Sequence, residues 1–161
     1  MKDDIFYDEA VIEKIIRPQN AADGQCFDKW VTSNSRQWQR IHFVQIRRYL
    51  SLEFKDYGCN LDCSNMSWNE TVAYSFLDPA CQGTLVGAAF FDTECGEVTL
   101  SSCWLHPFFR HQGLVKEAWP EFITRFDSFY VETPVSKTMI GLLQSINYQG
   151  VINLDEVKGY E

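Results

Sequence analysis

The stretch CWLHPFFRHQGLV, residues 103–115, runs from an apolar, strand-like segment through a His-Pro pair into a loop that ends at Gly113. Helical periodicity starts directly after that glycine. A glycine at such a junction lets the backbone turn sharply, and the first turn of the helix leaves its backbone N–H groups unpaired. Together with the helix dipole and the charge of Arg110, these amides favour an anion such as phosphate. The stretch is therefore a candidate for a pyrophosphate-binding turn, although an ordinary helix start is the favoured interpretation of these residues alone.

An antiparallel meander is predicted upstream of this turn. Its three strands are residues 71–77, 85–92 and 98–106. Asp78-Pro79 and Gly83 mark the first connection, and Gly96 marks the second, because Pro and Gly favour tight turns.

The segments before the meander add one strand and two helices. A β-branched run predicts a strand at 11–18, ended by Pro18. The spacing of Phe27, Trp30 and Val31 predicts a short helix within 19–33. A longer helix is predicted at 33–54, where no Gly or Pro interrupts the pattern.

The segments after the meander alternate between helix and strand. The pattern predicts a helix at 113–126, which Pro120 should kink or divide. A strand at 128–135 and a helix at 136–147, capped by Ser136, follow, and the chain from 148 onward could supply a last strand. The predicted order β-α-α-β-β-β-α-β-α-β describes one mixed α/β domain over residues 1–161, with 1–10 as a short N-terminal extension.

The charge balance argues against nucleic-acid or anionic-membrane partners. The chain has 161 residues and a formal net charge of −8, which repels polyanions. Arg36, Arg40 and Arg47 share one side of the predicted helix 33–54, either as a contact surface or, as the simpler interpretation, as a solvated face. No apolar run reaches the ~20 residues that a bilayer span needs, and the N-terminus lacks a signal-peptide core. We therefore expect a cytoplasmic protein.

The six cysteines do not form a metal-binding pattern. Cys59 and Cys63 are the one closely spaced pair, and no second pair follows at ligand spacing. Without an export signal, reduced thiols are expected, and we predict no metal.

Four stretches, in order, resemble the GNAT superfamily of N-acetyltransferases. The turn fits the family's loop pattern at Leu105-His106-Pro107, Arg110 and Gly113, although Val115 replaces a small residue. IIRPQNAAD (15–23) resembles the family's opening segment, LVGAAFFD (85–92) its central strand with a Val-Gly pair, and VETPVSKTMIGLLQSINY (131–148) its closing strand and helix. The resemblance covers roughly residues 12–150.

This resemblance implies a twisted mixed sheet whose middle strands, 98–106 and 128–133, splay apart around acetyl-CoA, the acyl donor. Pantetheine would pair with the backbone of the strand end, and the pyrophosphate would meet the amides of 111–115 with help from Arg110. Ser136 and Leu143 would face CoA from the last helix. The implied cofactor-binding residues are Trp104, Leu105, His106, Arg110, His111, Gln112, Gly113, Leu114, Val115, Ser136 and Leu143.

The acid and base residues depart from the family pattern. Leu143 stands where the family often has a Tyr that protonates the leaving thiolate, and a leucine cannot donate a proton. Thr99 and Ser101 stand where the family usually has a Glu or a histidine pair. Ser101 can act as a catalytic residue only if a neighbour activates its hydroxyl.

Carboxylates and histidines are the remaining base candidates. Glu97 lies on the same strand face as Thr99 and Ser101 and could act through water. Glu132 on the closing strand is a second carboxylate candidate. His106 and His111 lie within the turn itself.

The sequence thus favours an acyltransferase that moves an acetyl group from acetyl-CoA to an amine by direct attack in a ternary complex. The amine could belong to a small molecule or a basic protein. The alternative is a catalytically degenerate GNAT-like domain that serves as a CoA-binding or structural module. The oligomeric state stays open, a dimer included.

Overall fold

The computed structural model describes residues 18–53, 66–132 and 137–148. In these residues, six strands form one mixed sheet flanked by three α-helices, which confirms the predicted mixed α/β class. The strands are β1 Gln19–Asn20, β2 Trp30–Val31, β3 Thr71–Asp78, β4 Cys81–Asp92, β5 Thr99–Leu105 and β6 Tyr130–Val131. The helices are α1 Gln37–Glu53, α2 Leu114–Phe126 and α3 Lys137–Ser145.

The sheet has the strand order β2-β3-β4-β5-β6, and β1 pairs with the start of β4. The pairs among β1 to β5 are antiparallel, whereas β5 and β6 are parallel. The predicted meander is therefore confirmed. A register shift in the β4–β5 pair places Ser102 opposite Phe90 and Leu100 opposite Phe91, so that Ser101 is the extra residue of a bulge.

Two hydrophobic clusters cover the two faces of the sheet. Helix α1 packs on one face through Phe43, Ile46 and Leu50, whose spacing places them on one side of a helix. Helices α2 and α3 pack on the other face, where Phe122 and Leu143 are fully buried. The two helix layers shield both faces of the β4–β5 region from water.

The predicted helix within 19–33 is wrong. This segment forms β1, a turn at Gly24 and β2. Trp30 packs with the α2 side of the sheet and Val31 with the α1 side, which is the alternation of a strand. The side chain of Gln39 in α1 hydrogen-bonds to the backbone N–H and the carboxylate of Asp28, at 2.8 and 2.9 Å. This long-range pairing replaces the hydrogen bonds that a local helix would make.

Helix α2 is continuous across Pro120, so the predicted division does not occur. Proline removes one backbone donor, whose acceptor would be the carbonyl of Lys116. Both residues are exposed, so water can reach that carbonyl.

Helix α3 ends in a Schellman motif. The N–H of Tyr148 donates to the carbonyl of Leu143 at 3.0 Å, and that of Asn147 donates to Gln144 at 3.2 Å. Asn147 has a φ of 52°, a conformation that asparagine tolerates better than most residues. The predicted strand at 11–18, apart from Pro18, the predicted strand after 148 and the Ser136 cap lie outside the described residues.

Candidate functional site

The parallel pairing of β5 and β6 covers only the first part of β5. Thr99 lies opposite Tyr130 and Leu100 opposite Val131, and the N–H of Glu132 donates to the carbonyl of Leu100 at 3.0 Å. Strand β5 continues to Leu105, whereas the described segment that contains β6 ends at Glu132. Beyond Leu100, the edge of β5 has no partner strand among the described residues.

The backbone groups at this edge belong to Cys103 and Leu105. The N–H of His106 donates to the carbonyl of Val86 in β4 at 2.7 Å. Because successive residues of a strand point their backbone groups to opposite sides, Trp104 also faces β4. Of Trp104, Leu105 and His106, the residues predicted to pair with pantetheine, only Leu105 has its backbone groups at this edge, with Cys103 as its neighbour along it.

His106 is a structural residue of the turn. Its side chain is 2% exposed, and its Nδ1 accepts a hydrogen bond from the N–H of Phe108 at 3.2 Å. This bond caps the short 3₁₀ turn Pro107–Phe109. Because Nδ1 acts as an acceptor, it carries no proton. The alternative that His106 is the general base is not supported by this position.

The turn that follows presents unpaired amides. His111 and Gly113 have φ values of 61° and 80°, and the first helical bond of α2 runs from the N–H of Glu117 to Gly113 at 2.9 Å. Within the part of the chain that the structure describes, the amides of 111–116 find no acceptor. The turn residues His111, Gln112 and Gly113 are exposed. Unpaired amides at a helix N-terminus are suited to an anion.

Leu114 and Val115 anchor the first turn of α2 to the hydrophobic core. Both side chains are partly buried against the hydrophobic cluster under α2. The β-branched side chain of Val115 thus contributes to the core. Gln112 also stabilises the turn, because its side-chain Nε2 donates to the backbone carbonyl of Phe108 at 2.8 Å.

Arg110 is paired with Glu53 at the end of α1. Its two terminal nitrogens donate to the two carboxylate oxygens of Glu53 at 2.5 and 2.6 Å. Its Nε donates to the carbonyl of Leu105 at 2.9 Å. Arg110 is therefore engaged within the protein, although the sequence suggests a free charge beside a pyrophosphate.

The remaining predicted residues occupy varied positions. Leu143 of α3 is fully buried in the hydrophobic cluster on the α2 and α3 side of the sheet, so it packs in the core. Glu97 is exposed before the start of β5. The Oγ of Ser101 donates to the carbonyl of Phe90 at 3.1 Å. Ser136 lies outside the described residues.

A carboxylate pair lies where β5 and β6 part; Glu132 is a candidate from the sequence, whereas its partner Asp92 is not. Asp92 ends β4 opposite Thr99, and Thr99 lies opposite Tyr130. Residues paired across a sheet share a face, and so do residues two apart along one strand. Asp92 and Glu132 therefore both point to the α1 face of the sheet. The place of Glu132 on the closing strand makes it a candidate from the sequence, but no motif indicates Asp92.

Arg47 of α1 completes this acidic cluster, which we define as Asp92, Glu132 and Arg47. Its guanidinium lies over the ring of Phe90, 5.4 Å from the centroid. Its Nε is buried without a hydrogen-bond partner among the described residues, as is the Oγ of Ser102. The helix side that carries Arg40, Phe43 and Arg47 packs toward the sheet. The interpretation of the arginines as a solvated or exposed basic face is thus wrong for Arg47.

The environment of the cluster raises the pKa of both carboxyl groups. Burial raises the pKa of Asp92 most, while Arg47 and hydrogen bonds from Ser101 and Thr71 oppose the shift. Burial also raises the pKa of Glu132, the negative charge of Asp92 adds to it, and Arg47 lowers it. Two carboxylates near one guanidinium leave one negative charge uncompensated, which favours a cation.

Cys103 is the thiol nearest to the unpaired edge of β5. Burial raises the pKa of Cys103 to about 12, and Arg110 opposes this shift. The thiol is therefore protonated near neutral pH, and a protonated thiol is a poor nucleophile.

Two further properties concern the described residues as a whole. No helix in 18–53, 66–132 or 137–148 is long and apolar enough to cross a membrane. In the same residues, no three His, Cys, Asp or Glu side chains form a group that could hold a metal ion.

Comparisons with solved structures return acetyltransferases. The fold is similar to a GNAT-family acetyltransferase from Streptococcus pneumoniae, with a TM-score of 0.48 and 15% identity over 67% of this chain and 83% of that one. It is also similar to a probable acetyltransferase, with a TM-score of 0.45 and 16% identity over 82% of this chain and 93% of that one. No protein-family model matches the sequence, and no curated protein matches it.

Proposed function

We propose that the chain is a GNAT-type acyltransferase that transfers the acetyl group of acetyl-CoA to a cationic amine. The observation that carries the proposal is the continuity of one path along β5. Among the described residues, the strand edge that lacks a partner strand starts at Ser101, passes Cys103 and Leu105, and leads to the amides of 111–116. An extended chain with amide groups and a pyrophosphate at its end matches both parts of this path.

The donor would lie along this path with its phosphates at the turn. Pantetheine amides would pair with the backbone of Cys103 and Leu105, as an added strand pairs with a sheet edge. The carbonyl of Leu105 already accepts a hydrogen bond from Arg110. Pantetheine would therefore pair with the second lone pair of that carbonyl or with the N–H of Leu105. The pyrophosphate would be bound by backbone amides, because Arg110 is neutralised by Glu53. The thioester would then lie near the bulge at Ser101.

The acceptor amine would approach from the α1 face, where the acidic cluster lies. An alkylammonium ion has a reference pKa near ~10.4 and must lose a proton before it attacks. Asp92 and Glu132 would attract the ammonium ion, and one of them would accept its proton, directly or through water. The amine nitrogen then bonds to the thioester carbon, the C–S bond breaks and the CoA thiolate takes up a proton. Direct attack is favoured over an acyl-cysteine because Cys103 is protonated.

The second candidate function is a CoA-binding module without catalysis. It is favoured by Leu143, whose burial leaves the family's usual acid position filled by a core residue. Such a module would use the turn and the strand edge without the acidic cluster.

Titration calorimetry with acetyl-CoA and a thiol-release assay separate these functions. We expect acetyl-CoA to bind, and a panel of polyamines and lysine peptides to release CoA thiol. Asp92→Asn should reduce turnover ~10²- to 10⁴-fold while binding is kept, the usual range for loss of acid–base catalysis. Asp78→Asn is the matched control, because Asp78 lies at the opposite end of the β3–β4 pair.

Each other outcome has a definite meaning. Binding without thiol release from any amine would favour the module. If acetyl-CoA does not bind at all, the acyltransferase proposal is wrong.

A further inference from the structure

Glu53, the last residue of α1, is the centre of a buried polar network. Its side chain is 6% exposed. It accepts hydrogen bonds from the indole N–H of Trp104 at 2.6 Å and from Arg110 at 2.5 and 2.6 Å. Helix α1, the end of β5 and the turn therefore meet at one carboxylate.

All three nitrogens of the Arg110 guanidinium donate hydrogen bonds within the protein. Both terminal nitrogens reach Glu53, and Nε reaches the carbonyl of Leu105 at 2.9 Å. The guanidinium also lies 5.8 Å from the centre of the Trp104 ring. A bidentate pair of this kind fixes orientation as well as charge. Arg110 is thus held at one position immediately before His111.

The residues after Arg110 need such an anchor. His111 has a φ of 61°, which is a strained conformation for a side-chain-bearing residue. Strained backbone of this kind persists only where the surrounding structure holds it in place. The bonds of Arg110 to Glu53 and Leu105 connect the start of this turn to the end of α1 and to β5.

We propose that Glu53 is a positioning residue for the donor site: through Arg110, it holds the turn 111–113 in the conformation in which its amides converge on one anion. The inference rests on the proposed acyl-CoA function. It assigns Arg110 to the support of the turn, and the contact with phosphate to the backbone.

Glu53→Gln tests this role with little change of shape. Glutamine can still accept from Trp104, but it lacks the charge and the second acceptor oxygen that hold Arg110. We expect the Kd and the KM for acetyl-CoA to rise about tenfold, or ~1.4 kcal/mol. The kcat at saturating donor should change less than about twofold, since the reacting groups are untouched.

Ser75→Ala is the control for a loss of stability alone. The Oγ of Ser75 donates to the carbonyl of Asp28 at 2.6 Å in a buried part of the sheet. This variant should lower the melting temperature and leave the Kd for acetyl-CoA unchanged.

The double variant Glu53→Gln/Arg110→Gln shows whether the two residues act as one unit. We expect its Kd for acetyl-CoA to be no higher than the Kd of whichever single variant binds acetyl-CoA more weakly, because either change alone releases the turn. Additive losses, an unchanged Kd or tighter binding by Glu53→Gln would overturn the proposal. If the wild-type protein binds acetyl-CoA and Glu53→Gln binds it equally well, only this inference fails. If the wild-type protein does not bind acetyl-CoA, the proposed function fails and this inference with it.

Discussion

Gly87 of β4 lies directly against the carbonyl oxygen of Trp104 in β5, and no β-carbon fits between them. A Cβ at this position would also lie 2.7 Å from Cδ2 and 2.9 Å from Cα of Leu105. The two strands are therefore in close contact just before the turn. The glycine of the Val-Gly pair has a steric role at the candidate donor site.

We predict that Gly87→Ala destabilises the protein by about 2 kcal/mol, a typical cost of overpacking. The obstructing atoms include backbone, which cannot rotate away. Urea unfolding measures the effect, and Gly83→Ala in the same strand is the control, because nothing lies within 4 Å of a Cβ there. Equal midpoints for the two variants would contradict the steric role.

Gly113→Glu should abolish binding of acetyl-CoA, because its carboxylate would stand beside the amides of the turn. Gly113 has a φ of 80°, so any side chain adds strain. Gly113→Gln carries the same strain without the charge and is the matched control. We expect weakened but measurable binding for Gln and none for Glu in titration calorimetry. Equal binding by both variants would show that no anion approaches this turn.

Arg47→Gln should move the pH profile of kcat/KM toward higher pH. Arg47 lowers the pKa of both Asp92 and Glu132, so its removal makes the base harder to deprotonate. Arg48→Gln is the control, because Arg48 is exposed on the same helix. A profile that shifts equally in the two variants would argue against Asp92 and Glu132 as the titrating groups.

Glu132→Gln should stabilise the protein at neutral pH. Burial and the charge of Asp92 raise the pKa of Glu132 in the folded state. The native state therefore binds this proton more tightly than the unfolded chain. Stability falls as pH rises from the ordinary carboxyl pKa through the raised one. Replacing this carboxyl group with an amide should raise the free energy of unfolding by about 0.5 kcal/mol at pH 7, which is the size of a screened charge interaction.

The pH dependence of that gain is the critical measurement for Glu132. Below both pKa values the carboxyl is neutral in either state, so the two proteins should unfold alike near pH 3. A gain of the same size at pH 3 and pH 7 would attribute it to packing instead of charge.

Cys103 should resist alkylation in the native protein. Burial raises the pKa of its thiol to about 12, whereas Cys26 and Cys81 are exposed. Iodoacetamide at neutral pH followed by peptide mass spectrometry should label the two exposed cysteines first. Cys103→Ala should keep thiol release, and its loss in a folded variant would favour an acyl-cysteine intermediate.

The elements that the sequence predicts well are those whose signals are local. Helix 33–54 appears as Gln37–Glu53 because a continuous apolar stripe and the absence of Gly and Pro act within one segment. The helix within 19–33 fails because the spacing of Phe27 and Val31 suits a helix, while contacts with α1 and β3 impose extended backbone.

The site residues are likewise predictable from the sequence only where their signals are local. The turn at Gly113 is local, and the structure places it as a helix N-terminus with a left-handed glycine. The partner of Arg110 lies 57 residues away in the sequence, so no motif could reveal that its charge is neutralised. Asp92 and Glu132 are brought together through two strand registers, and neither register can be derived from a single pattern.

Helix α1 carries Arg47 and Glu53 six residues apart, which is ~9 Å along its axis. The first reaches the cluster proposed to receive the amine, and the second holds the turn proposed to receive the phosphates. One helix would therefore contact the sites proposed for both substrates. A rotation or slide of this helix that reshaped the proposed amine site would also weaken the proposed binding of CoA. We expect a change in the preferred amine to come from exchanged side chains on a helix that keeps its position.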